Sequence, residues 1–254
     1  MPPLLFAEHK SQIEIIGGTA NPLAPPALDI KEVFLKNLEK LGINVSLKII
    51  KEGFHPKGNG KIILEINPCN KLKEFSFQEI NIKEVSVVAV SSEDLKSREV
   101  CKRMIKGFKL NFPLGYKISS CESYVDTLSP GCYIHSNINN QLGMSILGEK
   151  SIAAEELGKK CALRLLEEIN SKATFDFFTA DQMLIYLALA GKGEFKVSHI
   201  SEHMKTNIEV IEKFLDVKFE IEDNKIKIKN NFSGFGMAKN FKVPFKRDKK
   251  VREF

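Results

Sequence analysis

The feature that most constrains this chain is a pattern that occurs twice, at residues 28–66 and 201–229. In each copy, apolar residues at helical spacing precede two strand-like segments, which predicts a helix followed by a two-stranded ribbon. The first helix is expected to end at Gly42, and the second ribbon to turn across Asp223–Asn224. This weak internal repeat predicts an α/β (α+β) fold built from repeated helix-plus-sheet units.

A different set of strands and helices lies between the two copies. Composition changes near Asn70, and the new pattern continues to about Lys172. The apolar run Val85–Val90 predicts a buried strand, and two periodic segments, 93–110 and 151–169, predict helices. We therefore divide the chain into a first core segment at 1–69, an inserted domain at 70–172, a last core unit at 173–229 and a basic tail at 230–254.

Most of the positive charge lies in that tail. The chain has a net charge of +6, and the segment 238–254 contributes +5 through seven basic and two acidic residues. Such a tail could contact nucleic acid through phosphates, with Phe241 and Phe245 stacking on bases. A solvated, partly disordered terminus explains the same composition and is the preferred interpretation.

Composition excludes several classes of protein. No apolar run approaches the roughly 18 residues that a membrane span needs, and the first residues lack the basic start of a signal peptide. The five cysteines are scattered and form no CxxC pair, so we expect neither a zinc site nor a disulfide framework. Reduced thiols and the lack of a membrane segment favour a cytoplasmic protein.

Two histidines lie near the start of the second repeated helix. His199 and His203 have the spacing of a helical metal site, but the helix is expected to begin near Ser201, so we assign no metal ligand in this chain. His203 alone would lie at a helix N-terminus, where N–H groups attract anions and a neutral imidazole could attack a phosphate. Local hydrogen bonding is the alternative, and position alone favours it.

The very apolar segment Ala180–Ala190 predicts another helix, closed by Gly191. Thr179 and Gln182 have the spacing of a capping box with Thr179 as the N-cap. The pattern explains Asp181 less well, although acidic residues are common in first turns.

The loop Gly53–Gly60 has the glycine content of a phosphate-binding loop. It is not a Walker A loop, because Asn59 and Gly60 occupy the required Lys and Ser/Thr positions. On physical grounds alone, a tight turn between strands is the preferred interpretation. Residues 17–26 likewise predict a rigid turn that leads into a proline-started helix.

Six short blocks along the chain carry a family likeness. They are GGTANPLAPP (17–26), GFHPKGNGKI (53–62), SPGCYI (129–134), GEKSIAAEELG (148–158), ADQMLIYLALAGKGEF (180–195) and HISEHMKTN (199–207). In this order and spacing, they resemble the RNA 3′-terminal phosphate cyclase family. The resemblance covers nearly all of residues 1–229.

The resemblance implies a core of repeated βαβαββ-type units with an inserted smaller, thioredoxin-like α/β domain, here residues 70–172. It implies an ATP-dependent ligase of RNA processing that converts an RNA 3′-phosphate to a 2′,3′-cyclic phosphate. In the family's mechanism, a histidine attacks the α-phosphorus of ATP. AMP then passes from the histidine to the RNA 3′-phosphate, and the neighbouring 2′-OH displaces it.

The resemblance also assigns residues and partners. By motif, the attacking histidine is His203. The residues implied to contact ATP are Phe178, Thr179, Ala180, Asp181, Gln182 and Pro26. RNA 3′ ends are the implied partner, and Mg²⁺ or another divalent cation is the implied metal, with its ligands mainly in an N-terminal part that has no counterpart here.

This chain departs from the family pattern in three places. Phe178 stands where the family usually has a tyrosine. Glu52 and Asn59 replace an Arg or His and a glycine of the glycine-rich signature. The family's first third has no counterpart, so we expect a poor enzyme in isolation, which a separate N-terminal cyclase segment could complete. A non-catalytic cyclase-like protein of ribosome biogenesis and an inactive fragment are the alternatives.

Overall fold

The computed structural model describes residues 1–69, 71–75, 82 and 84–230, which form an α+β fold. The helices are α1 (Ala27–Asp29), α2 (Leu35–Lys40), α3 (Val100–Asn111), α4 (Ala154–Asn170), α5 (Phe177–Ala190) and α6 (Glu202–Phe214), with a π-helical segment, Ile30–Phe34, between α1 and α2 and 3₁₀ helices at Pro2–Phe6 and Glu93–Arg98. The strands are β1 (Ser11–Gly17), β2 (Val45–Lys51), β3 (Gly60–Ile66), β4 (Glu84–Ser92), β5 (Lys117–Val125), β6 (Cys132–Ile138), β7 (Leu142–Leu147), β8 (Gly193–Lys196), β9 (Val217–Glu222) and β10 (Lys225–Asn230).

Two three-stranded sheets share one topology. Their strand orders are β1-β3-β2 and β8-β10-β9. In each sheet, the strand before the helix pairs antiparallel with the second strand of the following ribbon. The helix-plus-ribbon pattern is thus present at both places where the sequence predicts it, as a β–α–β–β unit. The longer βαβαββ repeat and the thioredoxin likeness remain predictions.

Glycines end two of the helices as predicted. Gly42 follows α2 with φ of +81°, and Gly191 follows α5 with φ of +79°. This left-handed conformation strains residues that carry a Cβ but not glycine. Both helices therefore end where the chain must turn toward its next strand.

The third sheet, of order β5-β4-β6-β7, belongs to the inserted segment. Strand β4 pairs parallel with β5 and antiparallel with β6. Helices α3 and α4 pack closely against each other, because a Cβ added at Gly107 would lie 2.0 Å from the Glu155 carbonyl oxygen and one added at Gly158 would lie 1.9 Å from that of Met104. Only glycine permits this approach of the two backbones.

One predicted helix is divided in the structure. The segment 93–110 is a 3₁₀ helix, Glu93–Arg98, followed by α3, with Glu99 between them at φ of +49°. Glu99 is exposed and pairs with Lys102 at 2.7 Å. An exposed residue does not interrupt apolar periodicity, so the pattern could not reveal this break.

Two large hydrophobic clusters divide the chain. The first combines residues from both ends, such as Leu38 and Ile66 with Leu184 and Ile226. The buried members of the second all lie within 85–165. We propose accordingly that 1–69 and 173–229 form one core and that 70–172 form a separate domain. Of the proposed tail, everything after Asn230 lies outside the described residues.

We expect residues 70–172, expressed alone, to unfold in one cooperative thermal transition, because the segment encloses its own hydrophobic cluster. Circular dichroism during heating measures the transition. Replacing the fully buried Leu165 by alanine should lower its stability by about 2–5 kcal/mol. A segment that stays disordered in isolation would contradict the proposed division.

Within the described part of the chain, no helix is both long and apolar enough to cross a membrane.

All five cysteines are free thiols, and Cys101 and Cys161 are buried. Burial raises the pKa of the Cys161 thiol to about 12, so this group is protonated at neutral pH and is a poor nucleophile.

Candidate active site

His203 is the second residue of α6. The helix begins after Ser201, whose hydroxyl oxygen accepts a hydrogen bond from the Met204 N–H at 3.0 Å, as an N-cap does. The His203 side chain is 75% exposed. Because the first N–H groups of a helix lack intrahelical partners and carry the positive end of its dipole, the imidazole lies where an anion is favoured.

Asp181 joins His203 to a third side chain. Its Oδ2 lies 2.9 Å from His203 Nδ1, and its Oδ1 accepts a hydrogen bond from Asn207 Nδ2 at 2.8 Å. The Asp181 side chain is only 16% exposed. His203 and Asn207 are one turn apart on α6, so both face the same carboxylate on α5. Sequence reasoning named Asp181 and missed Asn207, although Asn207 closes the HISEHMKTN block.

This pairing determines which imidazole nitrogen can react. A carboxylate accepts but cannot donate, so in the neutral ring Nδ1 carries the proton and donates it to Asp181. The lone pair then lies on Nε2, at the far side of an exposed ring. The Asn207 amide satisfies the other carboxylate oxygen and restrains Asp181. In its neutral form, His203 therefore presents the Nε2 lone pair to solvent beside a helix N-terminus.

Helix α5 begins earlier than predicted. Its first residue is Phe177, and its N-cap is Asp176, whose carboxylate accepts the Thr179 N–H at 2.8 Å. The capping box with Thr179 as N-cap and Gln182 at its third position is therefore wrong. Asp is as good an N-cap as Thr, and the two phenylalanines after it extend the apolar run by one turn. Thr179 itself is 1% exposed.

Five of the six residues predicted to contact ATP, residues 178–182, occupy the first turns of α5, but their side chains differ in exposure. Thr179 and Ala180 are buried. Phe178, Asp181 and Gln182 are half-buried and reach the surface. These three are therefore the members of the set whose side chains can contact a ligand directly.

Aromatic rings gather at the start of α5. Phe177 and Phe178 meet edge to face with centroids 5.1 Å apart, and the exposed ring of His199 stacks on Phe177 at 4.6 Å. Because His199 precedes α6, it shares no helical face with His203. The rings form an apolar surface of the kind on which a nucleobase can stack.

Pro26 lies on a separate element. It is buried and precedes α1, and its carbonyl oxygen accepts the Ile30 N–H at 3.2 Å. The Ala27 N–H donates to the Thr19 carbonyl at 2.8 Å. The proline-started helix that the sequence predicts is confirmed, and its first turn is anchored to the preceding glycine-rich segment.

The loop 53–60 contacts the inserted domain. The Lys57 N–H donates to Ser129 Oγ at 3.1 Å. Glu52 is 8% exposed and accepts hydrogen bonds from the hydroxyls of Thr19 and Tyr133. Burial, together with this carboxylate, raises the pKa of Tyr133. Glu52 is therefore a buried link between β2 and β6, which accounts for a carboxylate at this position.

The described residues contain no group of three or more His, Cys, Asp or Glu side chains placed to hold a metal ion. Since no donor set fits, we assign no metal ligand among them and derive no chemical step through a metal.

Comparison with known proteins identifies the family. The profile described as "RTC: RNA 3′-terminal phosphate cyclase" matches residues 1–221. A Methanosarcina barkeri protein named RNA 3′-terminal phosphate cyclase is 36% identical in an alignment of 228 residues that covers 87% of this chain and 66% of the relative. Proteins of the same name from Pyrobaculum neutrophilum and Methanococcoides burtonii are 30% and 33% identical, again over 87% of this chain.

These three alignments span 65–66% of the relatives' length. The match includes α5, β8 and α6 up to β9, and therefore Asp181, His203 and Asn207. On this match, which covers most of its length, the chain belongs to the RNA 3′-terminal phosphate cyclase family.

Proposed function

We propose that this protein acts in the ATP-dependent conversion of an RNA 3′-terminal phosphate to a 2′,3′-cyclic phosphate, a ligase reaction of RNA processing. The observation that carries the proposal is the arrangement of His203, Asp181 and Asn207. The names of the relatives support the substrate class. The whole reaction is proposed for the complete enzyme, because this chain spans about two thirds of those relatives.

In the first step, His203 Nε2 attacks the α-phosphorus of ATP. A nitrogen–phosphorus bond forms, the bond from the α-phosphorus to the bridging oxygen breaks, and pyrophosphate leaves. The Asp181 carboxylate stabilises the positive charge that develops on the imidazole as its second nitrogen becomes bonded. The product is a histidine–AMP phosphoramidate, with the proton still on Nδ1.

Two further displacements complete the reaction. An oxygen of the RNA 3′-phosphate attacks the phosphorus of the histidine-bound AMP, and the nitrogen–phosphorus bond breaks. The neighbouring 2′-oxygen then attacks the activated 3′-phosphorus, loses its proton and releases AMP. Both steps suit a histidine nucleophile, because a neutral imidazole is also a good leaving group.

The first turns of α5 and α6 are suited to a nucleotide. Phe178 offers a ring for stacking on adenine, and the α6 N-terminus offers backbone N–H groups for phosphate oxygens. The resemblance also implies a nucleotide contact for Pro26 on the opposite core segment; Pro26 is buried in this chain, so that contact stays a prediction. The groups that neutralise pyrophosphate, a divalent cation included, are proposed to come mainly from the third of the relatives that this chain does not match, which a separate cyclase segment could supply as a partner.

Two RNAs that differ at one atom test the function. RNA ending in a 3′-phosphate should, with ATP, Mg²⁺ and this protein, acquire an end that phosphatase cannot remove. The same RNA with a 2′-deoxy terminal nucleotide can accept AMP but cannot cyclise, so an RNA–AMP adduct should accumulate instead. Unchanged ends on both RNAs, also with the remaining cyclase segment supplied, would contradict the proposal.

Replacing Phe178 by alanine is expected to weaken ATP binding about tenfold, since base–aromatic stacking contributes about 1–3 kcal/mol. Equilibrium titration with a fluorescent ATP analogue measures the change. Phe178→Tyr keeps the ring and should bind at least as tightly as the wild type. Phe214→Ala is the matched control, because Phe214 is 83% exposed and is the last residue of α6, at the end away from His203. Equal affinity in Phe178→Ala and wild type would contradict a stacking role.

A further inference from the structure

The hairpin formed by β6 and β7 of the inserted domain reaches into the start of α5. The Gly143 N–H, on β7, donates to Asp176 Oδ2 at 2.9 Å, and the Thr179 N–H donates to Asp176 Oδ1 at 2.8 Å. Asp176 is 1% exposed. One buried carboxylate therefore binds a strand of the insert with one oxygen and caps α5 with the other.

The same hairpin holds the other core segment through a second buried carboxylate. Ser145 Oγ, two residues along β7, donates to Asp29 Oδ2 at 2.9 Å, and Nδ1 of the fully buried His135 on β6 lies 3.3 Å from that oxygen. A Cβ added at Gly143 would lie 2.7 Å from Val33 Cγ2. The hairpin backbone is thus pressed against the helical segment that begins after Pro26.

The turn of the hairpin adds polar contacts to both segments. Gln141 Nε2 donates to the Thr174 carbonyl at 2.9 Å, and the Gln141 carbonyl oxygen accepts from Asn37 Nδ2 at 2.9 Å. Lys40 Nζ lies 2.9 Å from Gln141 Oε1. Burial, and next the nearby Asp29 carboxylate, raise the pKa of Asp176, consistent with two carboxylates that face one desolvated region.

We propose that the β6–β7 hairpin is a positioning element of the nucleotide site. It fixes the Pro26 segment against the first turns of α5 through Asp29 and Asp176. Asp29 lies three residues after Pro26, and Asp176 lies two residues before Phe178 and five before Asp181. The insert is therefore part of the catalytic architecture, although none of these hairpin residues touches His203. The effect of the hairpin on ATP binding rests on the proposed function, whereas its contacts with Asp29 and Asp176 do not.

Asp176→Ser is the discriminating variant. The serine hydroxyl can still cap α5 at Thr179, but one short side chain cannot also reach the Gly143 N–H. Ile228→Val deletes one buried methyl group from the core that packs on α5 and leaves the hairpin contacts intact, so it is the control for destabilisation alone. If Asp176→Ser does not fold, Asp176→Asn replaces it. The asparagine carbonyl oxygen can still accept from the Thr179 N–H, but its NH₂ group then faces the Gly143 N–H, and two donors form no hydrogen bond.

The readout is the tautomer of His203, measured on the full chain by long-range ¹H–¹⁵N spectra at alkaline pH and without ATP. Wild type and Ile228→Val should show the proton on Nδ1. Asp176→Ser should show a mixture of the two tautomers, because α5 no longer holds Asp181 within hydrogen-bond distance of His203 Nδ1. ATP affinity of that variant should fall on the order of tenfold. An unchanged His203 tautomer in the folded Asp176 variant would overturn the inference.

The tautomer measurement needs no activity. Failure of the wild type to bind ATP or form an AMP adduct would therefore contradict the proposed function, while the tautomer result still decides whether the hairpin positions α5. If Asp176→Ser lowers the melting temperature but leaves the His203 tautomer as in the wild type, Asp176 stabilises the fold without positioning Asp181. That result would contradict the proposal.

Discussion

Replacing His203 by alanine is expected to abolish the retention of AMP by the protein after incubation with α-labelled ATP. The loss should be complete rather than graded, because alanine has no atom that can form the nitrogen–phosphorus bond. Denaturing electrophoresis at alkaline pH, where a phosphoramidate survives, measures the label. The label should disappear on mild acid treatment.

His199→Ala is the matched control for this experiment. His199 is also exposed and lies four residues earlier, but it stacks on Phe177 and makes no contact with Asp181 in the described structure. This variant should retain part or all of the label. Labelling that survives His203→Ala, or that depends on His199 instead, would remove His203 from the mechanism.

Replacing Asp181 by alanine is expected to slow AMP transfer to the protein about 10²-fold, the upper range for loss of a group that orients a reactive histidine. Without the carboxylate, the exposed imidazole loses its preference for the Nδ1–H tautomer and its fixed orientation. The rate of labelling at saturating ATP is the measurement, since it separates this effect from weaker binding.

Asn207→Ala provides the graded comparison for Asp181. It removes the amide that restrains Asp181 Oδ1 but leaves the contact with His203. We expect a loss of tenfold or less in the labelling rate, smaller than for Asp181→Ala. If both variants label at the wild-type rate, the hydrogen-bonded trio has no role in orienting His203.

Local signals in the sequence were sufficient to predict the helices and turns of the core units. Apolar periodicity located α6 to within a residue at each end, and Asp223–Asn224 marked the turn between β9 and β10. Gly42 and Gly191 marked helix ends because a left-handed residue there favours glycine. These features depend on neighbours in sequence, so a pattern can reveal them.

Contacts between distant segments could not be predicted in this way. Asp181 lies 22 residues from His203 and 26 from Asn207, and its carboxylate is explained only when α5 packs on α6. Asp176 was overlooked as an N-cap, because Thr179 and Gln182 formed a plausible local alternative. Its second bond, to Gly143, crosses 33 residues. The buried carboxylate of Glu52 is likewise explained only by its hydrogen bond with Tyr133, 81 residues later.

The inserted segment shows the same limit at a larger scale. Its composition and its separate hydrophobic cluster both favour a self-contained domain. Neither reveals that its β6–β7 hairpin carries donors for Asp29 and Asp176. Folding of a segment on its own and participation in a site elsewhere are independent properties, and only the tertiary contacts connect them.

The most direct test of the account is the location of AMP on the wild-type chain. The protein is incubated with ATP and Mg²⁺, with the remaining cyclase segment supplied in a parallel sample, then digested and mapped by mass spectrometry under alkaline conditions. We predict one AMP adduct, on the peptide that contains His203, with the phosphorus bonded to Nε2. An adduct on any other residue, or none in either sample, would contradict the account.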